Sequence, residues 1–541
     1  MTPSARRTGL LVALWALAVA GGLAARPAWP IDETRYLSVG WEMWHRGEFL
    51  VPHLNGQPYS DKPPLLFWLM NAGWAVFGVH EWWARLVPSL FALGNLFLTA
   101  RLARKLWPDR PDVAAAAPFL LLSTFLWSFF TTVLLFDMLL VFFALTGIHG
   151  LVRASRGERG GWLLYAFSIG LGILAKGPAI LLWLAPAAIA APWWAAGEGA
   201  RPGRWYPRLA TAVAGGVAIA LAWAVPAAMS GGSAYADAIL WNQTAGRVAH
   251  AFAHRRPFWW YLPIAPLLLF PWILWTAAWR RSPVLRNLTS DRGVRLCAVS
   301  AIAGFVAFSL VSGKQVHYLL PLLPAVSLIG ARLLTAADAP VRRGELAGVA
   351  ACFFVLAAAL GSGRWVADAF GLPEWVAGLP HAAGAIVAAL GILLLVVRPG
   401  SRLRALELVA ASSLAAVVVA LVAVGRSATP LYDVSRVARL LGRLEREGHP
   451  LAHAGRYRGE YQFAGRLRNP LEVIGADDLP RWFERHPDGY VVLYSRRHLL
   501  APEGDEELRH DYRGGVVLVR HRLSGVRGRE FQAPMGDASR P

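Results

Sequence analysis

Apolar residues recur along most of the chain in blocks about 16–22 residues long, separated by polar links. A helix that crosses the hydrocarbon core of a bilayer needs about 20 such residues. One soluble core could not bury so many blocks, so the pattern predicts an all-α polytopic membrane protein with about thirteen transmembrane helices. The predicted helices are 8–25, 83–104, 113–130, 133–152, 162–175, 178–195, 209–228, 259–279, 294–312, 317–334, 345–361, 381–397 and 405–424.

The composition agrees with this class. Of the 541 residues, 56% are hydrophobic and 16% are charged, whereas soluble domains have about 45–50% apolar and about 25% charged residues. The net charge of +20 does not indicate nucleic-acid binding, because most of the excess Arg lies in short links between apolar blocks. Cys297 and Cys352 both lie inside apolar segments, so we expect neither a disulfide framework nor a thiolate metal site.

The distribution of Lys and Arg predicts the orientation of the chain. With the N-terminus in the cytoplasm, the cytoplasmic links contain about 22 Lys and Arg residues and the outside links about 10. This is the bias that the positive-inside rule describes. An odd number of helices then places the C-terminal tail outside. Residues 1–26 also have features of a cleavable signal peptide, but a retained first helix fits this topology better.

Polarity divides the chain into a membrane part and a soluble part. The predicted units are a transmembrane domain over 1–425 with external loops 26–82 and 229–258, an α/β domain over 430–525, and a disordered tail over 526–541.

Short patterns refine the two external regions. Residues 36–44 and 65–74 are amphipathic and rich in Trp, which is typical of helices that lie in the membrane interface. In the tail domain, 433–447 has a helical pattern, and the apolar runs 490–494 and 515–520 predict strands.

Two polar clusters in the first external loop are candidates for chemistry, because charge near a membrane is costly. Asp32 and Glu33 follow the first helix and can serve as a base or as metal ligands; alternatively they stabilise a helix N-terminus. Tyr59, Asp61 and Lys62 precede two prolines that stiffen the backbone. The alternative for this second cluster is an ordinary interfacial turn.

Lysine usage gives a further signal. Only four of the 54 basic residues are Lys, and three of these, Lys62, Lys176 and Lys314, fall in outside clusters. The fourth, Lys105, lies in a cytoplasmic link. An ammonium group is a compact charge that fits against a phosphate oxygen. The three outside lysines are therefore predicted to bind phosphate.

The remaining clusters lie farther along the chain. Asp137 is a lone carboxylate in an apolar run, which indicates either a functional acid or a partner for a nearby Arg. His250 and His254 have the i, i+4 spacing of metal ligands on a helix, and Arg255 and Arg256 follow them. The aromatic run after these arginines also fits a simple membrane belt.

Together the clusters supply cations for a phosphate, carboxylates for a base or a metal, and aromatic rings for a sugar or lipid. This set suits cleavage of a lipid-linked phospho-sugar, because anchored phosphate oxygens stabilise the charge on the leaving group. A carboxylate would orient the acceptor or take its proton.

At this point the chain resembles the GT-C membrane glycosyltransferases of the dolichyl-phosphate-mannose protein mannosyltransferase type, and among them the bacterial aminoarabinose lipid A transferases. The matching motifs are Asp32-Glu33-x-Arg35-Tyr36, Pro52-His53-Leu54-Asn55-Gly56-x-Pro58-Tyr59, Asp61-Lys62-Pro63-Pro64-Leu65, Asp137-Met138-Leu139-Leu140, Lys176-Gly177-Pro178, Pro257-Phe258-Trp259-x-Tyr261 and Lys314-x-x-x-Tyr318-Leu319-Leu320-Pro321. The resemblance covers about 30–335.

The resemblance implies roles for the candidate residues. Asp32 matches a catalytic carboxylate, with Glu33 beside it, and Asp137 matches a second carboxylate near the site. Donor-phosphate contacts are expected from cations and tyrosines, namely Tyr59, Lys62, Lys176, Arg255, Arg256, Lys314 and Tyr318. Asp61 and His254 match zinc ligands, although relatives usually have Glu where this chain has Asp61.

The predicted function is transfer of a sugar, with inversion, from a polyprenyl (undecaprenyl) phosphate donor to lipid A or another envelope glycan. The implied location is a bacterial inner membrane, with the active site and tail domain periplasmic. Protein O-glycosylation is an alternative acceptor chemistry. A lipid or sugar transporter is disfavoured, because the polar clusters gather on one face and no internal repeat is evident.

Overall fold

The computed structural model describes residues 3–198, 200–241, 255–275, 290–336, 341–342, 344–495 and 506–521. The protein is a polytopic helical membrane protein with a small mixed α/β domain after the last membrane helix. His254 and the predicted disordered tail lie outside the described residues.

In the described ranges, seven helices are long and apolar enough to cross a bilayer. They are Ser4–Ala25, Glu81–Leu106, Asp137–Ser155, Pro202–Gly231, Arg292–Leu310, Val316–Leu334 and Arg402–Tyr432. Two further pairs form bent spans, Pro111–Ser123 with Phe125–Thr131 at 70° and Ala347–Gly361 with Gly363–Phe370 at 79°. The shorter apolar helices are Leu65–Phe77, Gly161–Lys176, Ala179–Ile189, Phe258–Leu268 and His381–Val396.

Twelve predicted membrane helices coincide with one of these segments, whereas 259–279 overlaps Phe258–Leu268 only in part. The segment 259–279 is not one helix, because prolines interrupt its described part. The described part contains the short helical turns Phe258–Tyr261, Ala265–Leu268 and Trp272–Leu274. The helix predicted over 133–152 begins at Asp137, which places this carboxylate in the first turn.

Glycines let neighbouring membrane helices approach closely. A Cβ atom on Gly150 would stand 2.8 Å from the Gly161 carbonyl oxygen, where helices Asp137–Ser155 and Gly161–Lys176 meet. A Cβ atom on Gly170 would stand 2.9 Å from the Gly216 carbonyl oxygen in the next helix pair. Such small-residue contacts allow van der Waals packing in a bilayer, where the hydrophobic effect does not drive helix association.

The first external loop has its own secondary structure. The Asp32 helix, Asp32–Arg46, is joined to the apolar helix Leu65–Phe77 through a short antiparallel hairpin, His53–Leu54 with Gln57–Pro58. The hairpin turn uses Asn55 and Gly56 at φ of 53° and 78°, the left-handed geometry that an Asn-Gly turn favours. The two amphipathic segments expected in this loop are therefore helices.

The last membrane helix continues to Tyr432, and the tail domain begins with helix Ser435–Arg446. Its five-stranded sheet has the order Glu472–Ile474, Leu451–Ala454, Tyr490–Ser495, Gly515–Arg520 and Glu506–Tyr512. The first three strands are parallel and the last two pairings are antiparallel. One sheet face packs on helix Ser435–Arg446 and the other packs around Trp482.

Candidate active site

The two adjacent carboxylates at the start of the Asp32 helix have different surroundings. The side chain of Asp32 is 48% exposed and forms an ion pair with Arg35, one turn along the helix. Glu33 is only 4% exposed and points into the protein. Both carboxylates stand at the positive end of the helix dipole, where negative side chains stabilise a helix.

Glu33 joins the Asp32 helix to the loop before Asp137. Its carboxylate accepts hydrogen bonds from the Arg26 guanidinium, from the Trp29 N–H at 3.0 Å and from the Leu134 N–H at 2.9 Å. Burial alone would raise the pKa of Glu33, but Arg26, Arg85 and the Leu134 N–H hold the pKa below its ordinary value. The oxygens of Glu33 are thus engaged in a structural network, and its catalytic role stays a prediction.

Arg35 was quoted in the motif but given no role by the sequence reasoning. Besides its ion pair with Asp32, its guanidinium stacks 5.5 Å from the ring centroid of Tyr36. Burial would lower the pKa of Arg35, but Tyr59, Tyr36, Asp32 and Asp61 raise it above the ordinary value. This cation of the Asp32 helix thus interacts with the loop that contains Tyr59 and Asp61.

Two of the predicted clusters meet deep in the helix bundle. Asp137 is 2% exposed and forms an ion pair with Lys176, the last residue of helix Gly161–Lys176. The Lys176 ammonium also lies 4.9 Å from the ring centroid of Tyr318. Asp137 thus has Lys176 as its partner, rather than the nearby Arg that was the structural alternative.

A cluster of aromatic rings joins the Asp32 helix to the residue that precedes Asp137. Phe67 contacts the rings of Tyr59, Tyr36 and Phe136 at centroid distances of 6.3, 6.4 and 5.4 Å. Tyr36 meets Phe136 edge-on at 4.9 Å. Because Phe136 precedes Asp137, this ring cluster fixes the first external loop against the start of the Asp137 helix.

His317 lies between the buried Asp137–Lys176 pair and the charged residues of the first external loop. The sequence reasoning did not assign it a role. Its imidazole interacts electrostatically with Asp137, Lys176, Asp32 and Lys62. We call the region around these five side chains the candidate site. Its signal in the sequence was its place between two residues that were already singled out, Lys314 and Tyr318.

Lys314 has a different environment from the one predicted. It is 3% exposed, and its ammonium donates to the backbone carbonyls of Val311 and, at 3.1 Å, of Arg256. The Arg256 N–H in turn donates to the Ser312 carbonyl at 3.1 Å. Lys314 therefore holds two loop segments together through two donated hydrogen bonds, and its contact with a phosphate stays a prediction.

Arg255 and Arg256 lie on the partner strand of this loop contact. Arg255 forms an isolated antiparallel bridge with Gly313, and both arginines are exposed. The Arg256 guanidinium lies 5.6 Å from the ring centroid of Trp260. This contact holds the backbone of Arg255 and Arg256 against Ser312 and Gly313, which come a few residues before Tyr318. A role of the two arginines toward a phosphate stays a prediction.

The predicted zinc site is only partly within the described residues. Asp61 is exposed and interacts with Arg35, and His254 falls in a range that is not described. Across the described ranges, no group of three His, Cys, Asp or Glu side chains converges in a way that would hold a metal ion. The described side chains therefore do not form a zinc site on their own.

The tail domain packs directly on the Asp32 helix. Ser38 donates to the Gly459 carbonyl at 2.7 Å and accepts from the Phe463 N–H at 3.2 Å. Trp41 donates to the Leu467 carbonyl at 2.7 Å. Burial raises the pKa of Glu460, which interacts electrostatically with Arg35. The tail domain thus supports the helix that presents Asp32.

Comparisons with known proteins agree with these observations. A family model described as dolichyl-phosphate-mannose-protein mannosyltransferase matches residues 61–229. The undecaprenyl phosphate-alpha-4-amino-4-deoxy-L-arabinose arabinosyl transferase 2 of Pseudomonas fluorescens is 29% identical over 335 residues, covering 59% of this chain and 58% of that protein. The corresponding transferase of Pseudomonas aeruginosa is 31% identical over 326 residues, covering 57% of this chain and 56% of that protein. The chain therefore matches less than two thirds of the length of these relatives.

Solved structures extend the likeness to almost the whole fold. ArnT from Cupriavidus metallidurans in the apo state has a TM-score of 0.77 at 19% identity, covering 96% of this chain and 99% of that chain. The structure of the same protein bound to undecaprenyl phosphate has a TM-score of 0.75, also at 19% identity, and covers 96% and 98%. The predicted GT-C fold and the resemblance to this group of membrane proteins are confirmed.

Proposed function

We propose that this protein is an inverting membrane glycosyltransferase that moves a sugar from a polyprenyl (undecaprenyl) phosphate donor to lipid A or another envelope glycan. The observation that carries the proposal is the candidate site itself, where an accessible carboxylate, Asp32, pairs with Arg35 and interacts with the same imidazole as Lys62 and Lys176. The names of the relatives support the same donor class. We place the protein in a bacterial inner membrane with this site on the periplasmic face.

The chemistry follows from the positions of the charges. The acceptor oxygen attacks the anomeric carbon, the bond from that carbon to the phosphate oxygen breaks, and its electron pair remains on the phosphate. Lys62, Lys176 and Arg35 supply positive charge where the negative charge of the leaving phosphate grows. Preorganised cations of this kind need no rearrangement during the reaction, because neighbouring carboxylates already hold Arg35 and Lys176.

The two aspartates have different roles in this scheme. Asp32 is half exposed, so an acceptor can reach it, and a hydroxyl acceptor would pass its proton to this carboxylate. A lipid A phosphate acceptor is already ionised and needs no such base. Asp137 is buried against Lys176 and positions that ammonium. The tail domain holds the Asp32 helix, which makes it part of the support of the catalytic carboxylate.

Protein O-glycosylation is the second candidate, and the match to the protein mannosyltransferase family model favours it specifically. It uses the same donor chemistry and differs only in the acceptor. A hydroxyl of Ser or Thr in a protein would require the base function of Asp32.

Zinc binding by Asp61 and His254 stays a proposal. Asp61 is the one predicted ligand among the described residues, and its neighbour Arg35 competes with a cation for it. Elemental analysis of the purified protein and of a His254→Ala variant is the test. Zinc in the parent and its loss in the variant would support the site; a parent without zinc would remove it.

Mass spectrometry of lipid A and of envelope glycans and glycoproteins, from cells with and without the gene, tests the proposed function. A sugar mass that disappears from lipid A identifies donor and acceptor together. A sugar missing from a protein instead would support the second candidate. If every glycoconjugate keeps its mass while the protein is produced in the control cells, the glycosyltransferase proposal is wrong.

A further inference from the structure

His317 occupies a fixed position beside the reacting groups. It lies in the 3-10 turn Val316–Leu322, directly before Tyr318. Its imidazole is perpendicular to the Tyr318 ring at a centroid distance of 4.8 Å, and it meets the Phe130 ring at 5.6 Å. Packing against two aromatic rings limits rotation of the imidazole, so its nitrogen atoms have a defined direction.

The charges around His317 come from both halves of the candidate site. Asp137 and Lys176 belong to the buried ion pair, whereas Asp32 and Lys62 belong to the first external loop. The imidazole therefore lies at the junction of two carboxylates and two ammonium groups, where bound phosphate would meet positive charge. The environment of Lys314, three residues earlier in the chain, is different, because its ammonium donates to backbone carbonyls.

The ring nitrogens of His317 differ from those of other buried histidines in the described ranges. Structural histidines here satisfy a nitrogen with a backbone carbonyl, as His149 does with Leu98 at 3.0 Å and His453 with Gly455 at 3.2 Å. Neither nitrogen of His317 forms a hydrogen bond with any residue that the structure describes. A partly buried imidazole among charged side chains, with neither nitrogen bonded to a described residue, is suited to a ligand.

We propose that His317 is a catalytic residue that donates a hydrogen bond from its imidazole N–H to the phosphate of the polyprenyl-phosphate donor. The proposal rests on the proposed function. As the anomeric C–O bond breaks, its electron pair passes to the phosphate oxygen, and the phosphate gains one negative charge. The imidazole N–H keeps its proton and stabilises that charge, while any proton of the acceptor goes to Asp32.

This role predicts a specific kinetic pattern. A hydrogen bond that strengthens as charge develops contributes to the transition state more than to the ground state, so its loss lowers kcat more than it raises KM. Removing one such donor costs about 10²–10³ in kcat. His317→Ala should therefore lose about a hundredfold in kcat, with KM for the donor lipid changed by less than about threefold. His317→Gln retains an N–H donor and should recover at least about tenfold over alanine.

The experiment uses the full-length protein in lipid vesicles, with a polyprenyl-phosphate sugar that the wild type turns over. Turnover is measured for the wild type, His317→Ala, His317→Gln and the matched control His381→Asn, whose side chain is exposed and outside the candidate site. Binding of undecaprenyl phosphate and of undecaprenol is measured in parallel. The expected result is the kcat loss in alanine, recovery in glutamine, a silent control, and weaker binding of the phosphate lipid only.

Three results would overturn the inference. They are a His317→Ala variant within about threefold of the wild-type kcat, a glutamine variant no better than alanine, and equal loss of binding for undecaprenyl phosphate and undecaprenol. The proposed function fails separately, because in that case the wild type turns over no polyprenyl-phosphate sugar. A thermal unfolding midpoint below that of the control would assign His317 to packing instead, and the inference would also fail.

Discussion

Glu33→Gln removes one negative charge from a network that is almost completely buried. The side chains of Arg26 and Glu33 are 4% and 5% exposed, and that of Arg85 is 3% exposed. Glutamine has nearly the same shape as glutamate, so the substitution changes charge and leaves volume unchanged. Arg85 would then keep the carboxylate of Glu81, which is 33% exposed, whereas Arg26 would lose the carboxylate that it pairs with.

The magnitude follows from the contacts. Removing one partner of a buried ion pair costs about 3–5 kcal/mol. Glutamine still offers one carbonyl oxygen to the Trp29 or Leu134 N–H, and one such hydrogen bond contributes about 1 kcal/mol. We therefore expect Glu33→Gln to lower the free energy of unfolding by about 2–4 kcal/mol.

The sign of the pH dependence is also fixed. Burial raises the pKa of Glu33, but Arg26 and the other donors lower it further, so the folded-state pKa lies below the ordinary value. The stability that Glu33 contributes is therefore complete above the unfolded-state pKa. It is lost as the pH falls through the lowered folded-state pKa. The difference between wild type and variant should shrink in that acidic range.

The assay is reversible unfolding of the purified protein in mixed micelles, followed by tryptophan fluorescence, with Glu81→Gln as the control. The more exposed Glu81 should cost about 1 kcal/mol or less. A Glu33→Gln variant that is as stable as the wild type yet inactive would refute the structural assignment. It would return Glu33 to the catalytic role that the sequence indicated.

Three other substitutions test separate parts of the structure. Ser38→Ala removes two hydrogen bonds to the tail domain and should lower stability by about 1–2 kcal/mol, measured by the same unfolding assay, with turnover reduced in parallel; unchanged stability and turnover would refute the supporting role of the tail domain. Lys176→Met should destabilise the protein more than the double change Asp137→Asn with Lys176→Met, because the single change leaves Asp137 buried without its cation; equal unfolding midpoints would contradict the ion pair. Lys105→Arg should leave turnover unchanged, because Lys105 pairs with Glu158 at a partly exposed position away from the candidate site, and a large loss would contradict the predicted topology.

The helices were predictable because burial in a bilayer leaves a strong composition signal. Twelve of the thirteen predicted blocks coincide with helices, and the runs 490–494 and 515–520 match two of the five described strands of the tail domain. The breaks were not predictable from hydropathy alone. Thr124 adopts an extended conformation inside an apolar run, and prolines interrupt the described part of 259–279 without changing its average polarity.

The candidate site shows which side-chain contacts the sequence could not predict. Scarcity of lysine drew attention to Lys62, Lys176 and Lys314, but a sequence does not tell whether an ammonium faces a cavity or backbone carbonyls. Lys314 does the latter. The same limit applied to Glu33, whose neighbour in the chain, Asp32, faces the opposite environment. Contacts between distant segments decide both cases.

A single-turnover transfer assay in lipid vesicles tests the central claim most directly. Wild type and Asp32→Asn are each given a mass-labelled undecaprenyl-phosphate sugar and a mixture of lipid A and other envelope acceptors. Our account predicts label on an acceptor with the wild type, and none on a hydroxyl acceptor with Asp32→Asn, although the variant still binds undecaprenyl phosphate. Transfer at the wild-type rate by Asp32→Asn, to a hydroxyl acceptor, would contradict the account.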